Sequence, residues 1–249
     1  MKNQILLYGA SNLWLSRRAA LTEVRRRFPG HLEIGLAHGP GRSYGLRAGN
    51  PLFHYEPLSA VDFGFYYESS VRRVAFITDI GNDIAYSQAP EQVVGWVTDL
   101  ALRLEAANFE IVIGGLPAKS LATLNPTFFR SLARLYYSNG TAVTRDQVTR
   151  DLEEIEVRIE QLCRDRGYRF QPADSAWYSP DRFHLKPSTV APYWSTLLQS
   201  FGAHNDYESR WSYRVRQPLF PQKYWFVGKE RNGRSRYRNL VPNSVVLVR

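Results

Sequence analysis

Lys2-Asn3-Gln4-Ile5-Leu6-Leu7-Tyr8-Gly9-Ala10-Ser11-Asn12-Leu13 is the stretch on which the fold turns. Its apolar run, Ile5–Tyr8, reads as the centre of a buried strand over Lys2–Gly9. Leu13–Phe28 then carries Ala20, Leu21, Val24 and Phe28 at helical spacing and stops at Pro29-Gly30. Ser11 falls in the turn between strand and helix, where unpaired backbone N–H groups favour negative charge. Taken by itself, Ser11 is equally well a helix N-cap.

The alternation continues along the chain. His31–Ala37 reads as a second strand running into the turn Gly39-Pro40-Gly41-Arg42-Ser43-Tyr44-Gly45. Val71–Thr78 is a third, followed by Gly81-Asn82-Asp83 and a helix from about Glu91 to Ala107. Glu110–Gly114 is a fourth, and Tyr168–Pro172 is the candidate fifth. Between them lie helices over Pro126–Tyr137 and Arg145–Arg166, the second with Val148, Leu152, Ile155, Ile159 and Leu162 on one face. A last helix is expected near Thr189–Phe201. This order predicts an α/β fold, a doubly wound parallel sheet sandwiched by helices. Ligands bind such sheets at the carboxyl ends of the strands, where the winding reverses. Ser11, Gly41, Asn82 and the Asp181–His184 loop all follow strands, so they are expected on one edge.

Those residues are the parts of an acyl-transfer site. A serine can attack a carbonyl, a histidine can take its proton, and an aspartate three residues earlier can fix the tautomer. The chain order Ser11, Asp181, His184 matches α/β-hydrolases, but Leu13 stands where their G-x-S-x-G elbow needs glycine.

Together the segments resemble the SGNH (GDSL-type) hydrolases, whose four blocks contribute Ser, Gly, Asn and His. The resemblance runs from about Lys2 to about Phe201. It implies a flavodoxin-like three-layer fold and carboxylic ester hydrolase chemistry through an acyl-enzyme on Ser11, with no metal or organic cofactor. It also implies Ser11, His184 and Asp181 as the catalytic triad. The oxyanion hole would comprise the N–H groups of Ser11 and Gly41 and the side-chain amide of Asn82. Gly39 and Gly45 remain alternatives to Gly41, and the segment also reads as a tight turn needing positive φ. Three departures stand out. Gly9-Ala10-Ser11 lacks the carboxylate that normally braces the turn, Ile80 replaces a glycine, and Arg182-Phe183 replaces small residues.

Two other motifs fail. Gly41-Arg42-Ser43-Tyr44-Gly45 looks like a fragment of a flavin-oxidase loop, with nothing else in the chain to support a flavin. Gly114–Ser120 looks like part of a phosphate loop, but Ala118 and, just before the stretch, Ile113 stand where that loop requires glycine.

Composition bounds the rest. With 249 residues, 44% hydrophobic and 22% charged, the chain can bury a sizeable core. Lone Cys163 excludes an internal disulfide framework or a cysteine-based zinc cluster and reads as a packed thiol. His31, His38, His54 and His204 show no metal spacing; His38 is a candidate to line the pocket. Without a signal-like apolar region or a run approaching ~20 apolar residues, the expectation is a soluble, cytoplasmic protein.

The net charge of +9 is unevenly placed. Arg17-Arg18 and Arg25-Arg26-Arg27 sit on the first helix and read as a solvated face. The chain divides into a domain over 1–204 and an extension over 205–249. In the extension Arg210, Arg214, Arg216, Lys223, Lys229, Arg231, Arg234, Arg236 and Arg238 interleave with aromatic residues. That pattern suits an anionic ligand, or a β-rich segment packed on the domain; packing is the favoured reading. Tyr66, Tyr67, Trp177, Tyr178, Phe183 and Trp194 are candidates for an aromatic pocket wall or for core. Three functions follow. The first is hydrolysis of a small-molecule ester, thioester or O-acetyl group. The others are acyl transfer by the same triad, and non-catalytic binding of a polyanion with a vestigial triad.

Overall fold

A computed structural model describes residues 2–50, 53–63, 71–136, 143–201, 223–226, 229–232 and 244–248. The chain opens with β1 (Lys2–Tyr8), α1 (Ser11–Arg27) and β2 (His31–Ala37). Two short strands follow, β3 (Ala48–Asn50) and β4 (Phe53–Tyr55), before β5 (Val71–Ile77). A 3-10 segment over Ile80–Tyr86 leads to α2 (Pro90–Ala106) and β6 (Glu110–Gly114). Then come α3 (Ala118–Ala122), α4 (Pro126–Tyr136), α5 (Arg145–Arg166), β7 (Arg169–Gln171) and α6 (Val190–Leu198). β8 (Lys223–Phe226), β9 (Lys229–Asn232) and β10 (Ser244–Val248) complete the described elements.

β1 is the spine of the parallel sheet, whose order is β10-β2-β1-β5-β6-β7. It pairs with β2 from Lys2↔His31 to Tyr8↔Ala37, and with β5 from Lys2↔Val71 to Tyr8↔Ile77. A strand paired on both edges and covered on both faces must be apolar almost throughout, as Ile5–Tyr8 is. The chain winds to β2 on one side of β1 and through β5, β6 and β7 on the other. The switch therefore lies beside β1, and Ser11 follows directly from it. The expected doubly wound, three-layer α/β fold is present.

Each face carries its own core. Leu13, Ala20, Leu21 and Val24 of α1 meet Ile5, Leu7, Ile34 and Leu36, with Trp194, Leu197 and Leu198 of α6 beside them. On the other face Val93, Val97 and Leu100 of α2 and Val148, Leu152, Ile155 and Ile159 of α5 cover Leu6, Tyr8, Ala75 and Ile77. Cys163 joins this second core, and burial pushes its thiol up to about 12, an inert packed cysteine. Trp194 and Tyr178 are core residues, 1% and 4% exposed, not pocket wall. Trp194 donates its Nε1–H to Ser16 Oγ at 2.8 Å, satisfying its polar atom while tying α6 to α1. Tyr66 and Tyr67 lie outside the described residues.

β3, β4, β8 and β9 form a separate four-stranded antiparallel sheet, with β4 meeting β8 at His54↔Trp225. β10 runs parallel to β2 and adds a sixth strand to the five that the sequence predicts for the main sheet. Of the ten basic residues in 205–249, Lys223, Lys229 and Arg231 fall in described strands and the rest lie outside them. The stretch that imitates a phosphate loop enters α3 instead. No helix among the described residues is long and apolar enough to cross a membrane.

Candidate active site

Ser11 is the first residue of α1, and Ala10 holds the N-cap position without a side-chain cap. The N-cap reading of Ser11 is thereby corrected. Its hydroxyl points elsewhere: Oγ lies 3.1 Å from His184 Nε2. His184 Nδ1 in turn lies 2.7 Å from Asp181 Oδ2. A hydrogen-bonded chain of hydroxyl, imidazole and carboxylate joins residues 173 positions apart.

The loop bearing His184 is built around Asp181. Asp181 Oδ1 accepts from Ser179 Oγ at 2.6 Å and from the backbone N–H groups of Phe183 and His184, both at 3.0 Å. Tyr178 and Leu185 bridge its base, and Ser179 N–H donates to His184 O at 2.7 Å. Arg182 takes the left-handed conformation at φ 68°, which suits the small residues usual there better than an arginine. Phe183 rests near Phe129 of α4, ring centroids 6.5 Å apart.

Electrostatics define the tautomer. Burial alone would raise Asp181, but the bonds from His184, Ser179 and the backbone outweigh it and hold the carboxyl well below its ordinary range. An ionised carboxylate only accepts, so Nδ1 carries the proton and Nε2 is left to accept from Ser11. His184 is raised above the ordinary imidazole value, first by its bond to Asp181, against burial, with further help from the charges of Asp181 and Asp79.

The structure supplies the carboxylate that Gly9-Ala10-Ser11 lacks. Asp79, just past β5, takes the left-handed conformation at φ 61° and reaches back across the sheet. Its Oδ2 accepts from Ala10 N–H at 2.7 Å and from Leu13 N–H at 3.1 Å. These are the N-cap and third amides of α1, the pair a capping box would satisfy with two local side chains. One remote carboxylate does both, and Ser11 N–H lies between the two donors. Burial raises Asp79 above the usual carboxylate range, opposed by these bonds and by the Asn12 side chain. No local pattern marks Asp79; the missing carboxylate at Ala10 was the available hint.

Gly41 and Asn82 come from adjoining turns. Asn82 Nδ2 donates to Arg42 O at 2.9 Å, and since an amide carries two N–H groups, a second remains. Asp83 braces the same junction, accepting from Ser43 Oγ and, at 3.1 Å, from Tyr44 N–H. Buried at 0% exposure, Asp83 is pushed up to about 6 by desolvation, against those bonds. Gly41 has φ 68°, where a side chain is strained. At Gly45 a Cβ would run into the Trp96 ring and at Gly39 it would sit 2.7 Å from Tyr55, so those two glycines make room for aromatic packing.

His38 does not open onto solvent. It is 5% exposed, and neither ring nitrogen has a hydrogen-bond partner. Burial, then the charges of Arg17 and Arg42, push it down to about 3, so it is a neutral imidazole. Among the described residues no group of three or more His, Cys, Asp or Glu side chains is placed to hold a metal ion.

A serine–histidine–aspartate chain at the switch point of a doubly wound sheet defines a class of architecture. Comparison with solved structures narrows it to the fold of the SGNH (GDSL-type) hydrolases. A provisionally assigned arylesterase from Agrobacterium tumefaciens str. C58 aligns over 80% of this chain and 98% of its own, with a TM-score of 0.55 and 15% identity. A provisionally assigned acylhydrolase from Bacteroides fragilis NCTC 9343 aligns over 80% and 86%, at 0.53 and 10%. A GDSL-like lipase from Bacteroides thetaiotaomicron VPI-5482 aligns over 80% and 87%, at 0.50 and 11%. No protein-family model matches the sequence, and no curated protein does.

Proposed function

We propose that this chain is a serine hydrolase that cleaves an ester, thioester or O-acetyl group of a small molecule through an acyl-enzyme on Ser11. The observation that carries the reading is the continuous pairing of Ser11 Oγ with His184 Nε2 at 3.1 Å and of His184 Nδ1 with Asp181 at 2.7 Å. Ser11 Oγ attacks the carbonyl carbon while its proton passes to His184 Nε2. The carbonyl oxygen becomes an oxyanion, held by the N–H groups of Ser11 and Gly41 and the remaining amide N–H of Asn82. Collapse expels the alcohol or thiol, which takes the proton from His184. Water repeats the sequence on the acyl-enzyme and releases the acid.

Turnover of p-nitrophenyl acetate tests the reaction, and product analysis tests its acceptor. Free acid should form at the same rate with and without an added alcohol; acyl transfer to the alcohol at the expense of acid would make the chain an acyltransferase. Asn82→Ala should lower kcat by roughly 10²–10³, the scale for one oxyanion donor, with a smaller change in KM. A change confined to KM would place Asn82 in ground-state binding instead.

A further inference from the structure

We infer that Asn12 is a positioning residue that clamps the His184 backbone to the nucleophile's own turn, with Asp79 anchoring the clamp. The inference rests on the hydrolase reading above. Asn12 follows Ser11 directly, so the clamp and the nucleophile share one rigid helix start.

The geometry brackets His184. Asn12 Nδ2 donates to Phe183 O at 3.1 Å, and Asn12 Oδ1 accepts from Leu185 N–H at 2.8 Å. These are the backbone groups on either side of His184, so the side chain bonds the loop as a neighbouring strand would. The Asn12 side chain also lies close enough to Asp79 to help hold its carboxyl down against burial. Asp79 at the same time accepts from Ala10 and Leu13 N–H, the amides flanking Ser11 and Asn12. A side-chain amide carries an acceptor oxygen and N–H donors on one planar group, and the clamp uses both kinds at once. No other residue type of this size combines them. Aspartate has no N–H and sets a second charge beside Asp79; alanine leaves Phe183 O and Leu185 N–H without these partners.

This explains how Ser11 and His184 keep hydrogen-bond distance although they belong to different elements. The Asp181–His184 pair is internal to its loop and survives any movement of that loop. The Ser11–His184 contact depends on where the loop sits on α1, and the two Asn12 bonds set that. Losing the clamp therefore misplaces the general base without altering its titration. A displacement of about 1 Å in such a pair costs roughly 10²-fold in rate.

The test compares wild type, Asn12→Ala and Asn12→Ser, the last retaining a residue favoured at helix starts should alanine not fold. Each is assayed for kcat and KM on p-nitrophenyl acetate across pH, and for labelling by a fluorophosphonate. The clamp predicts kcat down by roughly 10²-fold, KM nearly constant, and an acid limb at the wild-type pH, with Ser11 labelled slowly. Wild-type kcat in a folded variant, a loss carried by KM alone, or a shifted acid limb would overturn it. If wild type itself is labelled at Ser11 and turns over while the variants are unaffected, only the clamp fails. If wild type is neither labelled nor active, the hydrolase reading fails and takes the clamp with it.

Discussion

Ser11→Ala is expected to abolish turnover of p-nitrophenyl acetate and to leave the thermal midpoint nearly unchanged. The substitution removes the attacking oxygen, and loss of a member of such a chain costs several kcal/mol of transition-state stabilisation, on the order of 10⁴-fold or more in kcat. Stability changes little because the half-buried Ser11 is not the cap of α1; Asp79 satisfies the amides of Ala10 and Leu13 whether or not a hydroxyl is present. Steady-state kinetics with a melting curve on the same preparation checks both halves. Full activity in a clean Ser11→Ala protein would falsify the assignment.

The second large effect is on His184, and its sign follows from the pairing. On the hydrolase reading His184 must be neutral to accept the serine proton, so kcat/KM is expected to fall as pH drops through its pKa in the free enzyme. The bond to Asp181 raises that pKa, which sets the acid limb above the ordinary ~6.5. Asp181→Asn removes the cause of the rise, so the limb measured on residual activity moves to lower pH, with kcat down on the order of 10³–10⁴. His184→Gln is expected to remove the limb and nearly all the rate. His38 cannot substitute as the titrating group: burial holds it at about 3, neutral across the working range. Stability runs the other way. The raised His184 contributes stabilisation that is complete below ~6.5 and lost as pH rises through the folded value, so activity grows as that contribution fades.

Much of this was legible in the sequence because it is local. The strand–turn–helix at Lys2–Arg27 and the periodic α5 each follow from patterns within a few turns of chain. Ser11, Asp181 and His184 could be named because the parallel topology delivers strand ends to one edge, and the structure does bring those three together. Asp79 and Asn12 were not legible. Asp79 meets its amide partners 66 and 69 positions away, and only its left-handed backbone turns it toward them. Asn12 reads as an ordinary helix-start residue, yet its partners are at Phe183 and Leu185. β3 and β4 are three residues each, too short for an alternating pattern to register. Trp194 and Tyr178 could be wall or core, since both surroundings are apolar; burial decided for core.

The central claim is that Ser11 is a nucleophile activated by His184. Treatment with a fluorophosphonate, followed by intact mass measurement and peptide mapping, tests it most directly. One phosphonyl adduct per chain is expected, on the hydroxyl of Ser11, forming quickly in wild type, far more slowly in His184→Gln, and not at all in Ser11→Ala. An adduct mapped to another residue, or labelling of Ser11 as fast in His184→Gln as in wild type, would contradict it.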